Sequence, residues 1–179
     1  METLPNITGV IVADDDPMIR SVLRAKFEAI DVDVFVTSDG AEAVELASQI
    51  RAALIILDLK MPRLNGLLAC QRIRRLPGNA DTPIVILTSM SGKDAEDAAS
   101  RVGATAYFSK PFRPALLLQA VAQFLPIDDA AREVIRRNAG LVSGIVHPGT
   151  RSVAGMTARQ PGPDGPLDRG KHILDVLRR

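Results

Sequence analysis

A single cysteine, Cys70, in 179 residues excludes an intramolecular disulfide framework. The opening stretch METLPNITG has neither a basic n-region nor a long apolar h-region, so no secretory leader is expected. No apolar run approaches the ~18–20 residues that span a bilayer, and the reading is a soluble, cytoplasmic protein with no membrane partner. Excess charge is missing too. The formal net charge is +1, which removes the electrostatic footprint of a general nucleic-acid or membrane-surface binder. There is no internal repeat and no single-residue tract.

What the chain has is apolar material in short, regular pieces. At 46% hydrophobic it has enough for one good core with a short appendage. Val10–Val12, Val32–Val36, Leu54–Leu57, Ile84–Leu87 and Ala106–Phe108 read as strands. Between them lie segments of helical period. Ile19, Val22, Leu23, Phe27 and Ile30 repeat at the three-and-four spacing of one buried face; Ala43, Val44, Ala47 and Ile50 do so in a second helix, and Leu67, Leu68 and Ile73 mark a third. Five nearly all-apolar strands alternating with five helices predict an α/β protein with a parallel sheet covered on both faces. In such sheets ligands bind at the carboxyl ends of the strands. The fourth helix, Lys93 to Val102, offers mostly alanines as apolar contacts and is expected to be the most weakly anchored.

After Pro126 the character changes. Residues 140–170 contain seven glycines and four prolines, the composition of a flexible linker. Short helices are predicted over Asp128–Asn138 and Leu167–Arg179. Residues 1–126 carry 13 basic and 15 acidic side chains, net −2, against 9 and 6 in 127–179, net +3. The expected division is therefore a domain at residues 8–126 and a mildly basic C-terminal extension at 127–179 with no recognisable output domain.

Chemistry concentrates at the strand ends. In ADDDP, after the first strand, Asp16 followed by Pro17 fits an N-cap and first helical residue. Asp14 and Asp15 remain as adjacent carboxylates, whose repulsion is best offset by a hard divalent cation. Asp58 in LIILDLKMP ends the third strand, which a parallel sheet brings beside the first. Thr88 in IVILTSM adds a hydroxyl and Lys110 in YFSKPF a positive charge. Three carboxylates, a hydroxyl and a lysine at one end of one sheet suit a metal and a transferred anionic group.

At these residues the chain resembles the receiver domains of two-component response regulators, over about residues 8–126. The resemblance implies a flavodoxin-like doubly wound sheet of strand order 2-1-3-4-5. It implies Mg2+ held by Asp14 and Asp15, with Asp15 favoured as the direct ligand, by Asp58, and by the backbone carbonyl of Lys60. Asp58 would accept a phosphoryl group from a histidine kinase or a histidine phosphotransfer protein. Thr88 and Lys110 match the hydroxyl and lysine that contact the phosphoryl oxygens, and Tyr107 matches the aromatic switch residue. Lys110–Pro111 matches the family's cis peptide. The implied outputs are an altered surface for a downstream protein and a homodimer surface of the fourth helix, fifth strand and fifth helix. On this reading the chain catalyses only its own phosphorylation and dephosphorylation.

Each residue alone has a plainer explanation: an aspartate at a strand end is commonly a cap, Thr88 a β-branched strand residue, Lys110 a solvated charge, Tyr107 a partly buried aromatic. Only their ordered combination is specific. Cys70 reads as packing. His147 and His172 lack metal-ligand spacing, and Arg136–Arg137 and Arg178–Arg179 suit surface solubility as well as phosphate contact. An aspartate-nucleophile hydrolase resembling the haloacid dehalogenase group would need a second aspartate two residues after the nucleophile, where Lys60 stands. The alternative is a DNA-binding transcription regulator that uses the short C-terminal tail; DNA contact is not expected, because the Gly/Pro-rich middle leaves no room for a helix-turn-helix.

Overall fold

Each apolar run forms a strand: β1 is Val10–Ala13, β2 Val34–Thr37, β3 Leu54–Asp58, β4 Ile84–Thr88 and β5 Ala106–Ser109. All pairings are parallel, in the order β2-β1-β3-β4-β5. The computed structural model describes residues 9–90 and 92–140. The linker of 140–170, the helix expected over Leu167–Arg179, His147, His172 and Arg178–Arg179 lie outside the described residues, apart from Gly140. The second strand starts two residues later than its composition suggests. The Val32 amide donates to the Phe27 carbonyl at 3.2 Å, so Val32 closes the end of the preceding helix instead of entering the sheet.

The helices are α1 Pro17–Glu28, α2 Gly40–Gln49, α3 Gly66–Arg74, α4 Lys93–Arg101 and α5 Pro114–Val121, followed by a 3-10 turn, Ala122–Phe124, and a sixth helix, α6 Asp129–Gly140. Local capping explains where several begin. Asp16 accepts from the Met18 amide at 2.8 Å with Pro17 next, Asp39 accepts from Ala41 and Glu42, and Asn65 accepts from Leu68. The helix α4 has no side-chain cap, and its buried residues are alanines, Ala95 and Ala99, followed by Val102.

The three inner strands, β1, β3 and β4, are buried on both faces, as parallel sheets require, while the edge strands β2 and β5 are only partly covered. On one face Ile11, Ile55, Leu57, Ile84 and Ile86 pack with α2, α3 and α4; on the other Val12, Leu54, Ile56, Val85 and Leu87 pack with α1 and α5. Two expected core residues point outward instead: Val22 is 37% exposed and Leu68 47%. The stripe of α1 runs Ile19, Leu23, Phe27, Ile30, and that of α3 runs Gly66, Ala69, Cys70, Ile73, so Val22 and Leu68 sit off those stripes.

The helix α6 begins one residue later than the segment expected to be helical, Asp128–Asn138, with Asp128 accepting from the Ala131 amide at 2.8 Å ahead of it, and docks on α5. Ile127, Ala131 and Ile135, four apart, join the cluster containing Leu117 and Val121. The Arg132 guanidinium donates to the carbonyls of Ala122 at 3.0 Å and Leu125 at 3.3 Å, at the 3-10 turn that ends α5; the Ala122 carbonyl also accepts from the Leu125 amide at 3.2 Å. Ile135 is 3% exposed, so Ile135→Ala is expected to cost about 2 kcal/mol in urea denaturation. An unchanged midpoint would show that α6 contributes nothing to the domain.

Candidate functional site

Strand register brings the chemistry together. Ala13 pairs with Leu57, Asp58 with Leu87, and Thr88 with Ser109, so the residues that end β1, β3, β4 and β5 share one rim of the sheet. One carboxylate oxygen from each of Asp14, Asp15 and Asp58 lies within 4.8 Å of the others. Asp14 and Asp58 are buried, while Asp15 is exposed. Lys110 enters from beyond β5: its Nζ lies 2.6 Å from Asp58 Oδ1 and 2.8 Å from Asp14 Oδ2. The Lys110–Pro111 peptide is cis, as expected.

Burial pushes the Asp58 carboxyl above its ordinary value, and the Asp14 charge pushes the same way. Lys110 and the Lys60 amide, which is hydrogen-bonded to that carboxyl, oppose the shift without cancelling it. For Lys110 burial alone would lower the ammonium, but hydrogen bonds and charge from Asp14 and Asp58 hold it above the usual lysine value. Stability from this ammonium is therefore present below the ordinary lysine value and lost as pH rises through the folded one. Lys110→Met leaves two carboxylates facing each other. Allowing for the partial exposure of Lys110, it is expected to cost about 1–3 kcal/mol at pH 8. The deficit should shrink toward pH 4 as Asp58, whose carboxyl is held above its ordinary value, protonates, which chemical denaturation at the two pH values checks.

Thr88 is buried, its Oγ1 accepting from the Met90 amide at 2.9 Å. Tyr107 is 6% exposed, sits in the same apolar cluster as Ala95 and Ala99, and donates its hydroxyl to the Gly92 carbonyl at 3.4 Å. Lys60 is exposed on the loop that follows Asp58. Burial raises the Cys70 thiol to about 11, in keeping with a packing role.

Three features of the site lie outside the residues that the sequence singles out. Arg20 donates to the carbonyls of Asp14 at 2.6 Å and Asp15 at 3.0 Å, bracing the acidic turn. Gly66, which reads as half of a turn, sits directly on the Asp58 carbonyl, where a Cβ would collide. Asp39 is buried at the start of α2 and paired with Arg63 from the loop after Asp58. The only hint of the last is a cap motif, Asp39–Gly40, whose partner lies 24 residues away.

Residues 10–122 match the response regulator receiver domain family. The chain is similar to the DNA-binding dual master transcriptional regulator RpaA of Synechocystis, 31% identical over 135 residues that make up 75% of this chain and 56% of that protein. It is similar to the 14.6 kDa protein in the sodA1 3'region of Leptolyngbya boryana, 32% identical over 124 residues, 69% of this chain and 94% of that one. Among solved structures it resembles the chemotaxis protein CheY4 of Vibrio cholerae, with a TM-score of 0.62 and 30% identity across 65% of this chain and 98% of that chain. The chain spans about half the length of the first curated relatives it matches. Among the described residues no helix is long and apolar enough to cross a membrane. With more than half of its residues matched, and with its acids and lysine gathered on the rim where that sheet order places a ligand, the chain belongs to the response regulator receiver domain family.

Proposed function

We propose that this receiver is a phosphoacceptor in which Asp58 takes a phosphoryl group from the phosphohistidine of a histidine kinase or phosphotransfer protein. The observation that carries this reading is the close convergence of three carboxylates, two of which, Asp14 and Asp58, are paired with one lysine. In the transfer the histidine nitrogen–phosphorus bond breaks and an Asp58 oxygen–phosphorus bond forms, leaving an acyl phosphate. Such a step depends on positioning and charge stabilisation.

The donor set suits Mg2+: hard oxygens at close range, with Asp14, Asp15, Asp58 and the Lys60 backbone carbonyl as its holders. When bound, the ion neutralises charge on the acceptor and phosphoryl oxygens. The chain's own residues do the rest. Lys110, already on Asp58 and Asp14, offers its ammonium to the transferred oxygens. Thr88, whose Oγ1 accepts from the Met90 amide, turns its hydroxyl to donate to the phosphate, and the space vacated near β5 lets Tyr107 and α4 shift. A charge at Asp58 then becomes a changed surface for a downstream protein or a second copy. The experiment is incubation with acetyl phosphate and MgCl2, with intact mass as readout; no gain of one phosphoryl unit rejects the reading.

A second reading, transcription control through DNA, is favoured by the name of the Synechocystis relative. Anisotropy of labelled random-sequence duplex, with and without beryllium fluoride, separates it from a protein-only output.

A further inference from the structure

Arg63, in the loop between β3 and α3, has φ 57, a left-handed backbone that crowds an L side chain. Its guanidinium reaches back to α2, pairing with Asp39 and, at 2.7 Å, with Glu42. Asp39 is 1% exposed and caps α2 by accepting from the amides of Ala41 at 2.7 Å and Glu42 at 3.1 Å. Burial acts to raise that carboxyl, but Arg63 and the two amides prevail and hold it below its ordinary value. The loop meets α2 a second time, because Leu64 is buried and its carbonyl occupies the place where Gly40 would carry a Cβ. Its other contacts belong to the site: the Lys60 amide holds the Asp58 carboxylate, and Gly66 donates to the Leu59 carbonyl at 3.1 Å. Neither Arg63 nor Asp39 is part of the two apolar clusters that hold the helices on the sheet.

We propose that Arg63 is a positioning residue for phosphoryl acceptance: by fastening residues 59–65 to the capped end of α2, it keeps the Lys60 backbone and the Asp58 carboxylate ready for a divalent cation. This rests on the reading of Asp58 as the acceptor. The charge of Arg63 alone acts with the opposite sign. A cation near an acidic pocket repels Mg2+, so if only the field mattered, its removal would tighten metal binding. Positioning makes removal weaken it.

The test compares wild type with Arg63→Gln, Arg63→Lys and Arg63→Gly in the full chain. Its readouts are amide hydrogen exchange of residues 59–65 in metal-free protein and the dissociation constant for MgCl2 from NMR shifts. Gln keeps the left-handed strain and loses the ion pairs. Loop exchange is expected to rise about 5-fold or more, and the Mg2+ constant about 3–10-fold. Lys restores the charge without the forked geometry and should return to within about threefold of wild type. Gly relieves the strain without restoring the fastening and should fall between wild type and Gln. Tighter Mg2+ binding by Gln, a Gln variant within about twofold of wild type in both readouts, or Gly equal to wild type overturns the proposal. So does a uniform rise in exchange over the whole domain, the mark of a merely structural role. Wild type that binds Mg2+ yet takes nothing from acetyl phosphate rejects the acceptor reading instead, while the loop comparison still reports on Arg63.

Discussion

Asp58→Asn is expected to abolish phosphoryl uptake, with intact mass showing at least about a 100-fold loss against wild type under the same acetyl phosphate and MgCl2. Asparagine keeps the shape of the side chain and removes the nucleophilic oxygen anion. Loss of fold would produce the same mass result, and the charge balance of the pocket distinguishes the two. The folded Asp58 carboxyl is held above its ordinary value by burial and by Asp14, so the native state grips the proton more tightly than the unfolded chain does. Its contribution is therefore most favourable on the acid side and is lost as pH climbs through the folded value. At neutral pH the ionised group is a burden that Asn lacks. Metal-free Asp58→Asn is expected to be at least as stable as wild type at pH 7. Magnesium should reverse that order. A ligand at about 100 times its dissociation constant adds ~2.7 kcal/mol, and the variant with one oxygen anion fewer should gain clearly less. Phosphoryl uptake by the Asn variant equal to that of wild type would place the acceptor elsewhere.

Gly66→Ala is expected to cost more than about 3 kcal/mol and to disable the same site. In an ordinary helix this change stabilises by about 1 kcal/mol, because alanine is the better helix former. Here the added Cβ would run into the Asp58 carbonyl oxygen, lie 2.9 Å from its carbon and 3.2 Å from Leu59 Cα. Backbone is on the other side of each contact, so no side chain can swing away. Either α3 backs off the sheet or the acceptor loop moves, and both displace Asp58. Urea denaturation measures the first cost and MgCl2 titration the second. A variant as stable as wild type that still binds magnesium would mean the loop yields freely.

The contrast between Asp58 and Gly66 marks where sequence reading stops. Asp58 ends an apolar run, and its type, its place and the residues after it already suggest an acceptor. Gly66 reads only as a turn residue, since the carbonyl it touches belongs to Asp58 at the end of β3, brought against α3 by the loop that joins them. Val22 and Leu68 fall within the helical spacing yet face solvent, because apolar identity does not say how far round the helix the neighbouring layer extends. The helix over residues 128–138 was visible as a helix, but its seat on α5 was not.

By itself the sequence determined the alternating strands and helices and the identity of the groups at the strand ends: Asp14, Asp15, Asp58, Thr88 and Lys110. Those features lie within short segments, where water sorts apolar from polar positions and the chemistry is written in the residue type. Only the tertiary structure decided that Arg20 braces the acidic turn, that Arg63 fastens to Asp39, and that Gly66 closes on Asp58. Arg63 and Asp39 stand 24 residues apart, and the shorter-range contacts of Arg20 and Gly66 depend on how α1 and α3 settle against the strand ends.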